Sequence, residues 1–264
     1  MKTTRDNPGA FKKPPNIKFL KLIKKSIRCA IENNILIAHK VFLSGILNMY
    51  YQSRKQNRFY CNLCREDIPA FLYTVSKNKI LRNSICPNCS SRKRHRGLLE
   101  IYKSILKNYK QPKILHFAPE PVYHSLFKPY DYKTADLMLK DVELSIDIQK
   151  TNLKEESFDI IICNHVLEHV KDDQKAMKEI ARILSHSGCL IITIPGDWSC
   201  SETVEFNELD GNGHYREYGL EVIDVLNYYF DIVETIDIVK FEYFYHLPLG
   251  LTNKHDLVFI CQKK

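Results

Sequence analysis

Long apolar runs are absent from this 264-residue chain. The best uncharged window, residues 41–53, contains Gly45, Asn48 and Gln52 and falls short of the ~20 residues a membrane helix needs, so no spanning helix is expected. A secretory signal is also missing: the apolar residues start late and no small-residue cleavage site follows them. Acidic residues are scarce in the front of the chain. Residues 1–112 hold 24 Lys+Arg against 5 Asp+Glu, a net +19, whereas residues 113–264 hold 15 against 26, a net −11. So basic a front implies an anionic neighbour, whether nucleic acid, an anionic membrane surface or a phosphate-bearing substrate, unless the acidic half neutralises it. Of the nine cysteines, Cys29, Cys163, Cys189, Cys200 and Cys261 are singletons. Cys163, Cys189 and Cys261 lie in apolar, strand-like runs, as free thiols do in a reducing compartment; the cytoplasm is the simplest home. A 44% hydrophobic chain of this length can bury one substantial core and one small second unit.

Residues 1–16, with Pro8, Gly9, Pro14 and Pro15, read as a flexible basic leader. Residues 17–55 then read as an amphipathic basic helix, with Leu20, Ile23, Ile27, Ile31, Leu36 and Ala38 on one side and Lys18, Lys21, Lys24, Lys25 and Arg28 on the other. Such a helix either lies peripherally on an anionic membrane or a partner, or packs on its own chain. Residues 56–96 carry Cys61-Asn62-Leu63-Cys64 and Cys86-Pro87-Asn88-Cys89 around strand-like Phe71–Val75 and Ile80–Leu81. Two C-x2-C knuckles on hairpin tips place four thiolates tetrahedrally around a structural Zn²⁺ with no open position. A redox pair is the alternative, but no thioredoxin-like pattern surrounds either knuckle.

Residues 157–195 give the clearest fold signal. Phe158, Ile160, Ile161 and Ile162 form a short run ending at Asn164, as in a parallel strand covered on both faces. Val166, Leu167, Val170, Met177, Ile180, Ala181 and Leu184 recur at helical spacing, with Gly188 as the stop. Cys189–Ile194, closed by Pro195, make a second buried strand, completing a right-handed crossover. Within it, His165-Val166-Leu167-Glu168-His169 fits the H-x-x-E-H metal wording. No distant third ligand is suggested, and a motif directly after a parallel strand argues against a zinc protease. His169 therefore reads as a locally packed histidine. His165 sits at a strand tip, where open α/β sheets place ligands.

The wording FDIIICNHVLEHV followed by ARILSHSGCLIITIP resembles strands 4 to 5 of the class I S-adenosylmethionine (SAM) methyltransferases, in the type 11-like branch. That resemblance covers about the last 150 residues and implies, for residues 97–264, a Rossmann-like seven-stranded α/β sheet with helices on both faces, preceded by a zinc-ribbon-like module and the amphipathic helix. Lys113–Ala118 would be its first strand. Most of the family follows this strand with a glycine-rich turn; here His116-Phe117-Ala118-Pro119-Glu120-Pro121 stands instead, similar to an "HFAPEP" wording in a zinc-ribbon subgroup. The resemblance implies SAM as cofactor, held by His116, Ala118, Glu120, Asp136, Asp147, Ile148 and Asn164. Asp136 ends the second strand, where a carboxylate offers two acceptors to ribose hydroxyls, and Asp147 follows the third, where the family receives the adenine amino group. Arg94, His95 and Arg96 resemble a subgroup "RHR" near the active-site rim. Trp198, Tyr215 and Arg216 fall in an expected acceptor lid between residues 196 and 215 or just beyond it. His214 or His165 would be the general base for a hydroxyl acceptor. The implied function is methyl transfer to a small molecule or glycan. An RNA methyltransferase, since certain ribosomal RNA guanine methyltransferases combine a zinc ribbon with this fold, and a silent scaffold are the alternatives.

Overall fold

The computed structural model describes residues 35–53, 59–76, 79–237 and 254–263. The leader, the front of the basic helix and residues 238–253 lie outside them. The chain divides into two units, Met1–Leu99 and Glu100–Lys264. Among the described residues no helix is long and apolar enough to cross a membrane.

In the first unit, helix α1 (Ile35–Ser53) precedes two small antiparallel pairs, β1 (Phe59–Cys61) with β2 (Glu66–Ile68) and β3 (Leu72–Ser76) with β4 (Lys79–Ile85). Asn48 of α1 treats β3 as a strand would. Its Nδ2 donates to the Tyr73 carbonyl at 3.1 Å and its Oδ1 accepts the Tyr73 N–H at 2.6 Å. Gln52 adds a bond to the Ala70 carbonyl at 2.8 Å, and Tyr51 stacks on Tyr73. This part of the helix therefore packs on the hairpin of its own unit, while Phe42, Ile46, Met49 and Tyr50 stay exposed.

Helix α2 (Lys93–Leu106) leads into the second unit. That unit is a seven-stranded sheet built from β5 (Lys113–Phe117), β6 (Asp131–Asp136), β7 (Leu144–Ser145), β8 (Phe158–Asn164), β9 (Leu184–Asp197), β12 (Ile232–Asp237) and β13 (Lys254–Gln262). Its order is β12-β13-β9-β8-β5-β6-β7, parallel except for β13, which runs antiparallel to both neighbours. This is the seven-stranded α/β sheet expected from the sequence.

Side chains alternate between faces along each strand. Leu115, Phe117, Ile161, Cys163, Leu190, Ile192, Phe259 and Cys261 join one core cluster with Ala176, Met177, Ile180 and Ile183 of helix α4 (Asp173–Ile183) and Leu226 of α5 (Val222–Tyr229). On the other face, fully buried His116 packs against Phe127 of the short helix α3 (His124–Phe127), and Tyr102 of α2 meets Tyr123 and Phe127 edge-on.

Two boundaries differ from the sequence reading. The helix expected from Val166 starts only at Asp173, where the Asp172 side chain accepts the Lys175 N–H at 3.0 Å; Leu167–His169 form a single 3₁₀ turn. Nor does Gly188 stop that helix. It ends at Ile183, and Leu184 already pairs with Phe158 as strand. A Cβ on Gly188 would meet the Ser185 carbonyl at 2.7 Å, so close packing inside an irregular strand requires that glycine.

His116 gives the sheet a pH dependence. Burial, opposed by nearby Glu120, lowers its pKa from the ordinary 6.5 to about 4. Between these values the unfolded chain binds the extra proton, so stability rises with pH and is lost as pH falls from 6.5 towards 4, by on the order of 3 kcal/mol. Urea midpoints measured from pH 7 to pH 4 should decline in that window and flatten in His116→Phe. An equally steep decline in the variant would assign the loss to other groups.

Candidate functional site

The C-terminal tips of β8, β5, β6 and β7 lie side by side, and most of the expected cofactor residues stand there or just beyond. Ala118, after β5, adopts φ +48, the left-handed conformation usually left to glycine, and its N–H donates to the Ala135 carbonyl at 2.9 Å. The turn thus has the backbone bend of a glycine-rich loop without the glycine. Asn164, ending β8, joins the tips. Its Nδ2 donates to Glu120 Oε2 at 2.9 Å and to the Tyr102 hydroxyl at 2.7 Å, while its Oδ1 accepts from Thr193 at 3.2 Å. Asp136 uses Oδ1 alone to accept the N–H groups of Met138 and Leu139 at 2.7 and 2.8 Å. Both Asp147 oxygens are held by the Gln149 amide at 3.1 Å. Ile148 is buried in the core beside them, and His116 is wholly interior, with its Nδ1 3.0 Å from the Tyr132 hydroxyl. His116 therefore belongs to the core below the tips rather than to the open edge.

Next to Asn164, His165 takes φ +52 and turns its Nδ1 to within 3.3 Å of Glu168 Oε1. The segment beyond β9 returns to this point. Its small pair β10 (Val204–Glu205) and β11 (Arg216–Glu217) is tied down by Arg216, which is 4% exposed. The Arg216 guanidinium donates to the carbonyls of Leu167, Val170 and Lys171 at 3.2, 2.6 and 2.8 Å and to Glu205 at 2.7 Å. Arg216 was expected to contact the acceptor; its donors are instead spent on fastening this segment to the turn after β8. The Tyr215 N–H closes the same contact by donating to the Glu168 carbonyl at 2.8 Å. His214 lands beside His169, ring centroids 4.7 Å apart. Trp198 lies against Gly196, where a Cβ would meet its ring at 2.7 Å, and edge-on to Phe259. It is partly buried against the main core cluster.

Residues 122–192 match a family profile described as a methyltransferase domain. That match takes in about a quarter of the chain, and over it the chain is similar to a methyltransferase domain. The matched part begins just after the His116–Pro121 turn, where the wording departs from the glycine-rich pattern. An uncharacterized protein of Methanocaldococcus jannaschii is 36% identical over 70 residues, which are 26% of this chain and 31% of that relative; the match thus spans under a third of its length. Among solved structures, the YcgJ protein from Bacillus subtilis is 16% identical, covering 64% of this chain and 99% of its own, with a TM-score of 0.46. A Burkholderia thailandensis 1,6-didemethyltoxoflavin-N1-methyltransferase, solved with S-adenosylhomocysteine, is 13% identical over 65% of this chain and 78% of its own, at 0.46. A SAM-dependent methyltransferase from Archaeoglobus fulgidus is 15% identical over 62% and 94%, at 0.42.

In the first unit, the four expected cysteines come together. Cys61 Sγ lies 3.8 Å from Cys89 Sγ, and Cys64 Sγ 3.8 Å from Cys86 Sγ. Thiolates bound at ~2.3 Å around one tetrahedral ion stand about 3.8 Å apart, whereas a disulfide needs ~2.05 Å, so the cluster fits a metal and not two bridges. The knuckles are built alike. Arg65 and Ser90 each take a positive φ, of 57 and 64°, and return their N–H to the carbonyls of Cys61 and Cys86. Cys64 is pushed up to about 12 by burial and by Cys61 and Cys89, so four close thiolates call for a cation. Of the expected rim residues, Arg94, His95 and Arg96 all lie in the first turn of α2. Arg96 serves this module: its Nη1 donates to the Ser91 carbonyl at 2.9 Å, its guanidinium covers Phe71, and its carbonyl accepts from Asn62. Buried His95 accepts the Arg92 N–H at 3.2 Å.

Two features of the site were not expected. Glu168 is 1% exposed, and the adjacent His169 and the distant His214 gather at its side chain.

Proposed function

We propose that the chain is a SAM-dependent methyltransferase acting on a small-molecule or glycan acceptor, with a structural Zn²⁺ in the Cys61, Cys64, Cys86, Cys89 cluster. The observation that carries this reading is the row of acids along adjacent strand tips, Glu120, Asp136 and Asp147, beside the left-handed turn at Ala118. SAM supplies an activated methyl on a sulfonium, whose transfer needs alignment and exclusion of water more than elaborate chemistry. Glu120, oriented by Asn164, offers a carboxylate to the amino group of the methionine part. The second oxygen of Asp136 faces no described donor and suits the ribose hydroxyls. His165 or His214 takes the acceptor proton; a base near neutral pKa is worth roughly 10²- to 10⁴-fold. The exposed apolar residues of α1 support a resting place for this helix on an anionic lipid surface.

Calorimetric titration with SAM is the direct test, and absence of binding removes the reading. Once an acceptor is in hand, His165→Ala and His214→Ala should each cut turnover while leaving SAM affinity nearly intact. Full turnover in both variants ends the base assignment. RNA binding that falls steeply with salt would move the acceptor to nucleic acid.

A further inference from the structure

We infer that Glu168, His169 and His214 form a second metal site, separate from the four cysteines, that takes a divalent first-row transition ion such as Zn²⁺. One ligand atom from each of the three lies within 4.8 Å of the other two. The Glu168 carboxylate is almost wholly buried, and among the described residues neither of its oxygens has a hydrogen-bond partner. A buried carboxylate in that condition is costly unless something of opposite charge meets it. Its nearest cationic candidates are imidazoles: His165 Nδ1 at 3.3 Å and His169 Nε2 at 4.0 Å. A divalent ion would supply the missing charge.

The histidines are oriented as ligands. His169 Nδ1 lies 3.0 Å from the Gly213 carbonyl, so it carries the proton and donates, leaving the Nε2 lone pair turned towards Glu168. His214 Nδ1 lies 3.3 Å from Asp210 Oδ2. That contact likewise leaves Nε2 for a metal. Histidine ligands of metals commonly donate their other ring nitrogen to a carbonyl or carboxylate in this way. Gly213, at φ +82, makes the bend that brings the pair together, and the Arg216 and Tyr215 contacts hold that bend against the turn after β8. The residues are those of the H-x-x-E-H wording, but the geometry is not a protease helix, because Leu167–His169 is one 3₁₀ turn. The third ligand that the sequence did not point to is His214, from the loop. His169 and His214 retain side-chain exposures of 44 and 23%, enough freedom to close to bonds of about 2.0–2.2 Å.

Two imidazoles and one carboxylate give the ion three protein ligands and leave a fourth position open, the pattern of a catalytic rather than a structural site. Beside the tip of β8, that position would take an acceptor oxygen and ease its deprotonation, with His165 then left as the base. This last consequence rests on the proposed methyl transfer; the metal site does not.

The test is metal stoichiometry on the full chain, titrated with Zn²⁺ against a chromophoric chelator and checked by elemental analysis. Wild type should hold about two ions, and His169→Ala and Glu168→Gln about one each. Cobalt substitution separates the sites, since thiolate charge-transfer absorption marks only the cysteine cluster. Glu168→Gln removes a buried charge and keeps the shape, so its fold should survive; far-UV circular dichroism checks both variants. A wild type lacking the thiolate-free site, or a second ion retained in either variant, overturns the proposal. SAM titration of the same samples keeps a failure of the methyltransferase reading distinct.

Discussion

Asp136→Asn is expected to weaken SAM binding roughly ten- to a hundredfold, the worth of a hydrogen bond to a charged acceptor. The effect can be separated from damage to the fold because the two carboxylate oxygens have different partners. Oδ1 builds the turn by accepting from Met138 and Leu139, and asparagine keeps that oxygen. The other oxygen becomes an amide N–H₂, which donates where a ribose hydroxyl also needs to donate. Thermal unfolding should therefore stay close to wild type while calorimetric affinity falls. Unchanged affinity would place the ribose elsewhere. Asp147→Asn should cost less, since Gln149 already occupies both Asp147 oxygens and must be displaced by any ligand.

Removing metal from the cysteine cluster should unfold residues 59–92, since structural zinc contributes on the order of 10 kcal/mol to such modules. The reason lies in the size of the core. The buried cluster of this part of the chain is Cys61, Ile68, Phe71 and Cys86, and two of these four are themselves ligands. Without the ion, little apolar area is left to offset the entropy of ordering the two hairpins. Hydrogen exchange with and without chelator is the measurement: protection at Cys61 to Ile68 should vanish and return with Zn²⁺. Protection that persists in metal-free protein would refute a structural ion.

The central parallel strands were legible because they are covered on both faces and carry apolar runs, as Ile160–Cys163 does, whereas β6, with the sequence DYKTAD, carries no such run. The knuckles were legible because four thiolates at C-x2-C spacing have few other uses. The turn after β8 was not. Its apolar residues repeat at helical spacing, but Arg216, far along the chain, takes the carbonyls of Leu167, Val170 and Lys171 that a helix would have kept for itself. The left-handed state of Ala118 also leaves no trace in residue type, because alanine is not a residue that marks such a bend. H-x-x-E-H was visible, and what it lacked was knowledge of which loop folds over it.

The antiparallel strand has a consequence for how the molecule assembles. β13 inserts between β9 and β12, both of which precede it in the chain, with Val258, Phe259 and Cys261 wholly inside. As the nascent polypeptide leaves the ribosome, β9 therefore waits with one hydrogen-bonding edge bare until residues 254–262 emerge. Over that interval the half-made sheet offers an open template to other chains, and chaperone demand should be greatest there.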